Sequence, residues 1–486
     1  MRSSPCEGGA SVAEIDLLDV RCGSVTAPAG CGKTQLIADS LSRHSGRKPI
    51  LILTHTNAGV AALRLRLERA GVNSSSFRLA TLDGWALRTL KTFPARSAID
   101  VEHLDLTDPR NDYPAIKRAA AALLAGSHID DILDASYSRV IVDEYQDCGS
   151  EQHQMVRHLS TVLPTVVLGD PMQEIFSWQG DHPDWHDDIC AIFKPAGELV
   201  TPWRWIRAGA EAFGRWLLEA RQILMAGDQI DLRSAPPEVE WVHLDGANDE
   251  AKQRQACLAK SPQPRGDVLI MAAGVQRDHQ REIARQTPGA VTVENVDLTD
   301  VIDFAGGIDL DQPGDLKSVL DFASAVTTNV EGAELMRRID VLEREAGRKE
   351  VTTVEAAAID YKISGSAEDL IRLFLALENK PGARTFRPEI LRTCLQALRS
   401  CGPSSKDTFL DAALRIREQS RMLGRRVPPR AVGSPLLLKG LEADVAVILN
   451  AAEFDRIPSR NTKNLYVAIT RGSRKLIVCS ASPWIG

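Results

Sequence analysis

The chain has 486 residues, of which 44% are apolar and 25% charged, and its formal net charge is −7 at pH 7. This length exceeds one ordinary domain and predicts two to four globular units. The sequence has no apolar run near the ~20 residues that a membrane span needs, and its first 23 residues lack the pattern of a secretory signal. Its nine cysteines lack metal-ligand spacing and favour free thiols in a cytoplasmic protein without membrane attachment.

The first part of the chain alternates predicted strands and helices. Strands at 22–26 and 50–54 are each followed by a loop and a helical pattern. Residues 91–138 interrupt this order, and we interpret them as a small insertion. Buried strands at 139–142 and 165–168 then return. Strand–helix alternation predicts a parallel sheet with helices on both faces.

A second lobe is predicted to begin near Thr201, with a strand at 267–271. Residues 299–429 carry mostly amphipathic and charged helical patterns, which predict a helical insertion larger than the first. Strands at 445–449 and 476–479 resume the parallel-sheet pattern. The fold class is therefore predicted to be α/β with two lobes.

The loop after the first strand contains a phosphate-binding pattern of the form [AG]-x4-G-K-[ST]. Its residues are Ala27, Pro28, Ala29, Gly30, Cys31, Gly32, Lys33 and Thr34. Glycines let successive backbone N–H groups face the phosphates at the start of a helix. We expect Lys33 to reach the β- and γ-phosphates and Thr34 to bind Mg²⁺, with Gln35 also beside the nucleotide. A chance glycine turn is disfavoured by the position between a strand and a helix.

Two adjacent acids, Asp143 and Glu144, follow the strand at 139–142. Strand ends of open α/β sheets are where ligands bind. Asp143 is expected to hold Mg²⁺, directly or through water, and Glu144 to orient the attacking water. Acid pairs after strands also occur as helix caps, but the phosphate-binding loop favours the functional interpretation.

Seven short sequence motifs occur along the chain besides the glycine loop. They are LTHTN at 53–57, ATLD at 80–83, DEYQD at 143–147, LGDPMQEIFSW at 168–178, WR at 203–204, LKGLEAD at 438–444 and LYVAITR at 465–471. In this order they resemble the motifs of superfamily 1 helicases of the UvrD/Rep/PcrA branch. With the glycine loop they cover nearly the whole chain.

The resemblance implies two RecA-like P-loop lobes with an insertion in each. The implied division is lobe 1A at 1–90 and 139–200, a 1B-like insertion at 91–138, lobe 2A at 201–298 and 430–486, and a 2B-like insertion at 299–429. It also implies that ATP with Mg²⁺ is bound between the lobes and hydrolysed when they close.

The resemblance also assigns roles to residues around the nucleotide. Arg204 and Arg471, both from the second lobe, would stabilise charge on the γ-phosphate as arginine fingers, and Gln173 would sense that phosphate. Trp203 would stack on adenine, and Glu442 would contact the ribose or the phosphates. A surface ion pair is the alternative for each arginine, but the surrounding motifs favour function.

Five residues are candidates for a nucleic-acid track in the first lobe. Thr56, Asn57 and Thr81 are expected to touch phosphates or sugars. Phe176 and Trp178 are expected to stack on bases, because stacking accepts any base. Core packing is the alternative for this aromatic pair.

A basic stretch lies near the end of the second insertion, opposed only by Glu418. It contains Arg415, Arg417, Arg421, Arg425, Arg426 and Arg430. A solvated helix face and a phosphate-contacting patch are both consistent with this pattern.

The sequence departs from the family pattern where adenine is usually selected, since no glutamine precedes Gln35. The first hypothesis remains an ATP-dependent translocase or helicase on single-stranded or partly duplex DNA, with 3′ to 5′ polarity; RNA could replace DNA. The alternative is a DNA- and nucleotide-sensing ATPase that regulates a partner nuclease, because short UvrD-like proteins resemble helicase-like subunits of Gabija-type anti-phage systems. A small-molecule kinase is disfavoured, since it does not explain the second lobe's motifs.

Overall fold

The computed structural model describes most of the chain. The described residues are 15–106, 108–176, 182–264, 266–273, 277–295, 297–310, 312–344, 350–401, 408–422, 428–455 and 461–486. Contacts within the chain divide it into two compact units, Met1–Gly227 and Asp228–Gly486. None of the described helices is both long and apolar enough to cross a membrane.

Six strands form the sheet of the first unit. They are β1 (Cys22–Thr26), β2 (Ile50–Thr54), β3 (Phe77–Thr81), β4 (Arg139–Val142), β5 (Thr165–Gly169) and β6 (Pro195–Glu198). Their order is β3-β2-β4-β5-β1-β6, and all neighbours pair in parallel. All six carboxyl ends therefore meet at one edge, and those of β4, β5 and β1 lie side by side.

Helices cover both faces of this sheet. They are α1 (Lys33–Arg43), α2 (Asn57–Arg69), α3 (Leu82–Thr92), α4 (Pro94–Ser97), α5 (Pro109–Ala125), α6 (Asp130–Ser136), α7 (Ser150–Val162), α8 (Cys190–Ile192), α9 (Trp203–Ala208) and α10 (Glu211–Met225). Every residue of β2 and β5 is buried, as expected for a parallel sheet sandwiched between helices. On one face, Trp85 packs with Ile116 and Leu123 of α5, so the segment predicted as an insertion shares this core.

The second unit contains another parallel sheet and a small antiparallel pair. Its strands are β7 (Ile230–Asp231), β8 (Val239–His243), β9 (Val268–Met271), β10 (Val291–Thr292), β11 (Arg430–Gly433), β12 (Ala443–Ile448), β13 (Gly472–Ser480) and β14 (Trp484–Ile485). The parallel sheet has the order β10-β11-β9-β12-β13-β8, and β7 pairs with β14. Consequently β11 brings its carboxyl end between those of β9 and β10.

Most helices of the second unit lie between β10 and β11 in the sequence. The helices are α11 (Asp249–Cys257), α12 (Arg277–Gln286), α13 (Thr299–Gly307), α14 (Leu316–Val326), α15 (Gly332–Glu343), α16 (Thr353–Ser364), α17 (Ala367–Glu378), α18 (Pro388–Ser400), α19 (Phe409–Met422), α20 (Pro435–Leu438) and α21 (Asn461–Ile469). Helices α13 to α19 enclose a core of their own, in which the rings of Phe304 and Phe322 stack with centroids 4.0 Å apart.

The predicted α/β class is confirmed, because two largely parallel sheets are flanked by helices. The sequence division placed the start of the second lobe near Thr201. The contacts instead group α9 and α10 with the first unit, so Trp203 and Arg204 belong to the unit that carries the glycine loop. Their position there follows from packing against that loop.

Candidate functional site

The glycine loop joins the end of β1 to the start of α1. Gly30 and Gly32 have φ angles of +70° and +92°, a left-handed conformation that glycine adopts without a steric penalty. Gly32 caps α1 without a side-chain hydrogen bond, and Lys33 and Thr34 form the first turn. The N–H groups of that turn have no helical acceptors, so the loop is suited to bind phosphate oxygens.

Two tryptophans of α9 pack against this loop. A Cβ atom on Gly30 would lie 2.4 Å from Cζ3 of Trp205, and one on Gly32 would lie 3.0 Å from Cδ1 of Trp203. The backbone N–H of Arg204 also donates to the carbonyl of Gly30 at 3.1 Å. Trp205 is buried, whereas Trp203 is 45% exposed. The exposed indole of Trp203 therefore lies beside the phosphate-binding turn.

Lys33 contacts both acids that follow β4. Its Nζ lies 3.0 Å from Oδ1 of Asp143 and 2.5 Å from Oε1 of Glu144. Burial alone would lower the pKa of Lys33, but the two carboxylates outweigh it and raise that pKa above its ordinary value. Burial raises the pKa of Asp143, and the ammonium group opposes this shift. Lys33 is thus a fixed cation between the loop and the acid pair.

Glu144 has a left-handed backbone conformation, and its carboxylate is hydrogen-bonded to Gln146. Its φ of 54° lies in the left-handed region, which costs a non-glycine residue roughly 1–2 kcal/mol. Gln146 donates from Nε2 to Oε2 of Glu144 at 2.6 Å, and its Oε1 accepts from the backbone N–H of Asp170 at 3.1 Å. Gln146 therefore connects the acid pair after β4 to the neighbouring end of β5.

Arg221 is a buried residue that the sequence analysis missed. From α10 it donates to Oδ1 of Asp170 through Nε at 3.1 Å and Nη2 at 2.9 Å, and through Nη1 to Oε1 of Glu198 at 3.1 Å. The other oxygen of Asp170 accepts from Nε2 of Gln173 at 3.0 Å. Arg221 thus fixes the carboxylate that orients Gln173. Helical spacing from buried Leu217 and Leu224 was the available signal, since it places Arg221 on the apolar face.

The remaining residues expected at the nucleotide differ in exposure. Ala29 and Cys31 are buried in the loop, and burial raises the pKa of the Cys31 thiol to about 12. Thr34 is half-buried in the first turn of α1. Gln35 donates to Oδ1 of Asp39 at 2.7 Å, so its side chain turns along the helix surface.

The threonines proposed for the nucleic-acid track lie at the carboxyl ends of adjacent strands. Thr56 caps α2 by accepting from the N–H of Gly59 at 3.0 Å, and Thr81 caps α3 by accepting from Gly84 at 3.0 Å. Asn57 is exposed at the start of α2. The two caps are at the β2–β3 side of the edge, whereas the glycine loop follows β1.

Phe176 lies between the threonine caps at the β2–β3 side of the sheet edge and the glycine loop after β1. Its ring centroid is 5.7 Å from that of His55, which follows β2. The segment that follows β5 therefore reaches from Gln173 to the track residues. Trp178, the other expected stacking residue, lies outside the described residues.

Arg471 and Glu442 belong to the second unit. Arg471 is buried and donates to the carbonyls of Val467 at 2.8 Å and Leu441 at 3.4 Å, and to Oγ1 of Thr470 at 2.9 Å. These bonds connect the two blocks at 438–444 and 465–471. Glu442 is exposed just before β12.

The basic stretch is only partly described. Arg430 is half-buried and donates to the backbone carbonyls of Cys257 and Ala259, which makes it a structural residue of β11. Arg415 is exposed and Arg417 half-buried on α19. The side chains of Arg421, Arg425 and Arg426 lie outside the described residues.

The donors near the glycine loop fit a magnesium–nucleotide complex. Within the described parts of the chain, no group of three or more His, Cys, Asp or Glu could hold a metal ion. Magnesium in such sites takes one or two protein oxygens and completes its shell with phosphates and water. The Thr34 hydroxyl and the Asp143 carboxylate supply oxygens of that kind beside the phosphate-binding turn.

A glycine loop at the end of one strand and an acid pair at the end of a nearby strand define the class of P-loop nucleotide-binding domains. Residues 111–188, which include the acid pair and Gln173, match the UvrD/REP helicase N-terminal domain. This match, which covers a part of the first unit, supports a UvrD-like helicase of superfamily 1A and, at the level of the family, a nucleic-acid-dependent helicase or ATPase. Helicases of this type use ATP with a divalent metal ion. No curated relative matches the chain.

Proposed function

We propose that the chain is an ATP-dependent translocase or helicase that moves 3′ to 5′ along single-stranded or partly duplex DNA. The observation that carries this proposal is the contact of Lys33 with Asp143 and Glu144 beside a phosphate-binding loop. Such an arrangement binds a triphosphate and positions a water molecule for its hydrolysis. The family match supports nucleic acid as the second ligand.

In this proposal the loop and Lys33 bind the phosphates, and Thr34 and Asp143 hold Mg²⁺. Bound magnesium supplies positive charge that neutralises the phosphate oxygens. Glu144 orients the attacking water once Lys33 has exchanged its carboxylate partners for phosphate. Ala29, Gly30, Cys31 and Gly32 line the phosphates, with Gln35 at the margin.

Arginines from both units complete the proposed chemistry. Arg204 stabilises transferring charge from beside the loop, and Arg471 does so from the second unit. Trp203 stacks on adenine, which its exposed indole beside Gly32 supports. Glu442 contacts the ribose or the phosphates.

The hydrogen bonds among Glu144, Gln146 and Asp170 support a route from chemistry to movement. A change at Glu144 alters its bond to Gln146, which also holds the backbone at Asp170. Asp170 orients Gln173, three residues before Phe176. We propose that this route relays the state of the γ-phosphate to a track formed by Thr56, Asn57, Thr81, Phe176 and Trp178.

The decisive experiment measures ATPase rates without nucleic acid and with single-stranded DNA, RNA or blunt duplex. Stimulation by a single strand is expected, and its absence would refute the translocase. Unwinding of duplexes with a 3′ or a 5′ overhang then measures polarity, and a 3′ requirement is expected.

Glu144→Gln tests the role of the carboxylate. We expect loss of turnover with ATP binding retained, because the amide keeps the shape but cannot accept the proton as a carboxylate does. Binding is measured with a fluorescent ATP analogue. Retained turnover would assign the water-orienting role to another residue.

A strand-stimulated ATPase that moves along no strand would favour the regulatory alternative. In that case a nuclease partner, as in Gabija-type systems, is expected to co-purify with the chain and to respond to its nucleotide state.

A further inference from the structure

A pocket lies at the carboxyl edge of the second unit's parallel sheet. It has an empty volume of about 660 Å³, which includes its mouth open to solvent. Residues that follow β10 and β11 form its floor, and the starts of α12 and α13 form its walls. Ligands of parallel α/β sheets bind at this edge, where neighbouring strands lead to different faces.

Two buried side chains in this pocket have polar atoms without partners. Gln280 is 2% exposed and Thr292 is 6% exposed, and among the described residues neither Nε2 of Gln280 nor Oγ1 of Thr292 has a hydrogen-bond partner. Such groups destabilise a fold unless something satisfies them. They come from different elements, α12 and β10, and both line the pocket. Both atoms are covered by neighbouring groups in the fold without a ligand, so a ligand with hydrogen-bonding atoms on its edge would satisfy both once it displaces those groups.

The acidic residues in the pocket wall are already neutralised. Glu294 accepts from Nε of Arg387 at 2.7 Å and from Nη2 at 2.8 Å. Asp300 pairs with Arg387 and accepts from Nη2 of Arg281 at 2.6 Å. Their charge therefore does not repel an anion at the mouth.

Arg277 adds a positive charge to the lining of the pocket. Arg277 is exposed at the first position of α12, a helix of ten residues whose N-terminal N–H groups add partial positive charge. Apolar side chains of Val293, Leu298 and Leu436 line the interior. A pocket lined by apolar side chains together with hydrogen-bonding and charged groups is suited to a planar heterocycle that carries a phosphate.

We propose that this pocket binds one nucleobase through its hydrogen-bonding edge, with the attached phosphate at Arg277. The amide of Gln280 and the hydroxyl of Thr292 read that edge. If the nucleotide belongs to a strand, the inference rests on the proposed function and adds base selectivity, which stacking residues do not provide. A free nucleotide would present the same chemistry.

Near-isosteric substitutions test the pocket. Thr292→Val and Gln280→Met remove the two reading groups and little volume. Because those groups have no partner in the fold, both variants are expected to fold, with a thermal midpoint no lower than that of the parent. Gln286→Met is the matched control, since Gln286 lies exposed on the same helix and bonds to Glu282 at 2.7 Å.

The first measurement is the affinity of the full chain for labelled single strands of dT, dA, dC and a mixed strand rich in dG, at one fixed salt concentration. The parent is expected to discriminate about fivefold or more between the best and worst strands, as hydrogen-bond readout of a base does. Thr292→Val and Gln280→Met are expected to reduce this difference to about twofold or less, while Gln286→Met preserves it. Equal discrimination by the parent and the pocket variants would overturn readout of a strand.

The second measurement titrates the four 2′-deoxynucleoside 5′-monophosphates into the Lys33→Ala chain, in which the loop site is disabled. If a monophosphate binds and Thr292→Val abolishes that binding, while the parent does not discriminate among the strands, the ligand of the pocket is a free nucleotide. No Thr292-dependent effect in either measurement means a hydrated cavity only and overturns the proposal. Failure of the proposed function would give a different result, because no strand would then bind or stimulate the ATPase. The monophosphate titration would still show whether the pocket binds a nucleotide.

Discussion

The two parallel sheets stabilise their carboxyl edges in the same way. In the first unit, Arg221 is buried between Asp170 and Glu198. In the second, Arg387 is buried between Glu294 and Asp300. Each arginine joins a carboxylate that follows a strand to one in another element, β6 in the first unit and α13 in the second, and its five N–H donors suit two carboxylates at once.

The two edges differ in what they leave for a ligand. The first presents a glycine loop with Lys33 already paired to carboxylates, which is suited to exchange for a triphosphate. The second presents Gln280 and Thr292 without partners and a wall whose charges are paired. One sheet architecture thus supports different chemistry according to the few side chains at its strand ends.

Lys33→Ala is expected to have the largest effect on ATP turnover. Loss of turnover would show that ATP is hydrolysed only at the carboxyl edge of the first unit's sheet. Removal of this cation deletes the main positive charge on the β- and γ-phosphates, so turnover should be abolished. Steady-state ATPase with saturating single strand measures it. Lys475→Ala in the second unit, which loses only an exposed pair with Glu240, serves as the control. Substantial turnover in Lys33→Ala would place a nucleotide site elsewhere.

Arg471→Ala asks whether the second unit contributes to hydrolysis at all. If Arg471 acts as an arginine finger, kcat should fall about 10³-fold. Single-turnover ATPase kinetics separate this from weaker binding. Because Arg471 also bonds to Leu441 and Val467, thermal unfolding of the variant must be measured in parallel. A near-normal rate in a folded variant would leave Arg471 a structural residue.

Arg221→Ala tests the buried arginine of the first edge. It leaves the Asp170 carboxylate buried and unpaired, so the free energy of unfolding should fall by about 3–5 kcal/mol. Arg215→Ala, which loses an exposed pair with Glu211 on the same helix, should cost less than about 1 kcal/mol. Denaturant titration measures both.

The milder Arg221→Lys variant keeps the charge and tests positioning of Gln173. We expect weaker stimulation of the ATPase by single strands at an unchanged basal rate. An unchanged stimulation ratio would limit Arg221 to stability.

Thr292→Val should have the smallest effect of these variants, and its effect on the free energy of unfolding should be opposite in sign to that of Arg221→Ala. Removal of a buried hydroxyl without a partner should raise the free energy of unfolding by about 1 kcal/mol. Thr327→Val is the matched control, because its buried hydroxyl lies 3.3 Å from Oγ1 of Thr385, and it should lose about 1 kcal/mol. Destabilisation by Thr292→Val would mean that its hydroxyl is satisfied in solution.

Strands β2 and β4 were predictable because their sequences are largely apolar runs. The bounds of β1, β2 and β4 agree with those predicted. Several strands were not predicted, among them β3, β8 and β11, as well as β6, which begins with Pro195 at the sheet's edge, and β10, which has only two residues. Short or edge strands depend on neighbours that sequence periodicity does not reveal.

The candidate site was predictable only where motif letters mark it. The glycine loop and the pair Asp143–Glu144 follow strands whose ends are close in a parallel sheet, and the structure brings Lys33 to both acids. The roles of Arg204 and Arg471 stay predictions. Arg221 and Thr292 were not found, because their significance lies in buried partners or in the lack of them, which only tertiary packing decides.

The cysteine in the glycine loop has a consequence for chemical sensitivity. Cys31 is buried, and burial raises the pKa of its thiol to about 12, so the thiol is protonated at pH 7. Electrophiles and peroxide attack the thiolate, and they should therefore leave this position unmodified while the loop stays folded. ATP turnover should accordingly tolerate oxidising conditions and alkylating reagents that inactivate enzymes with an ionised active-site thiol.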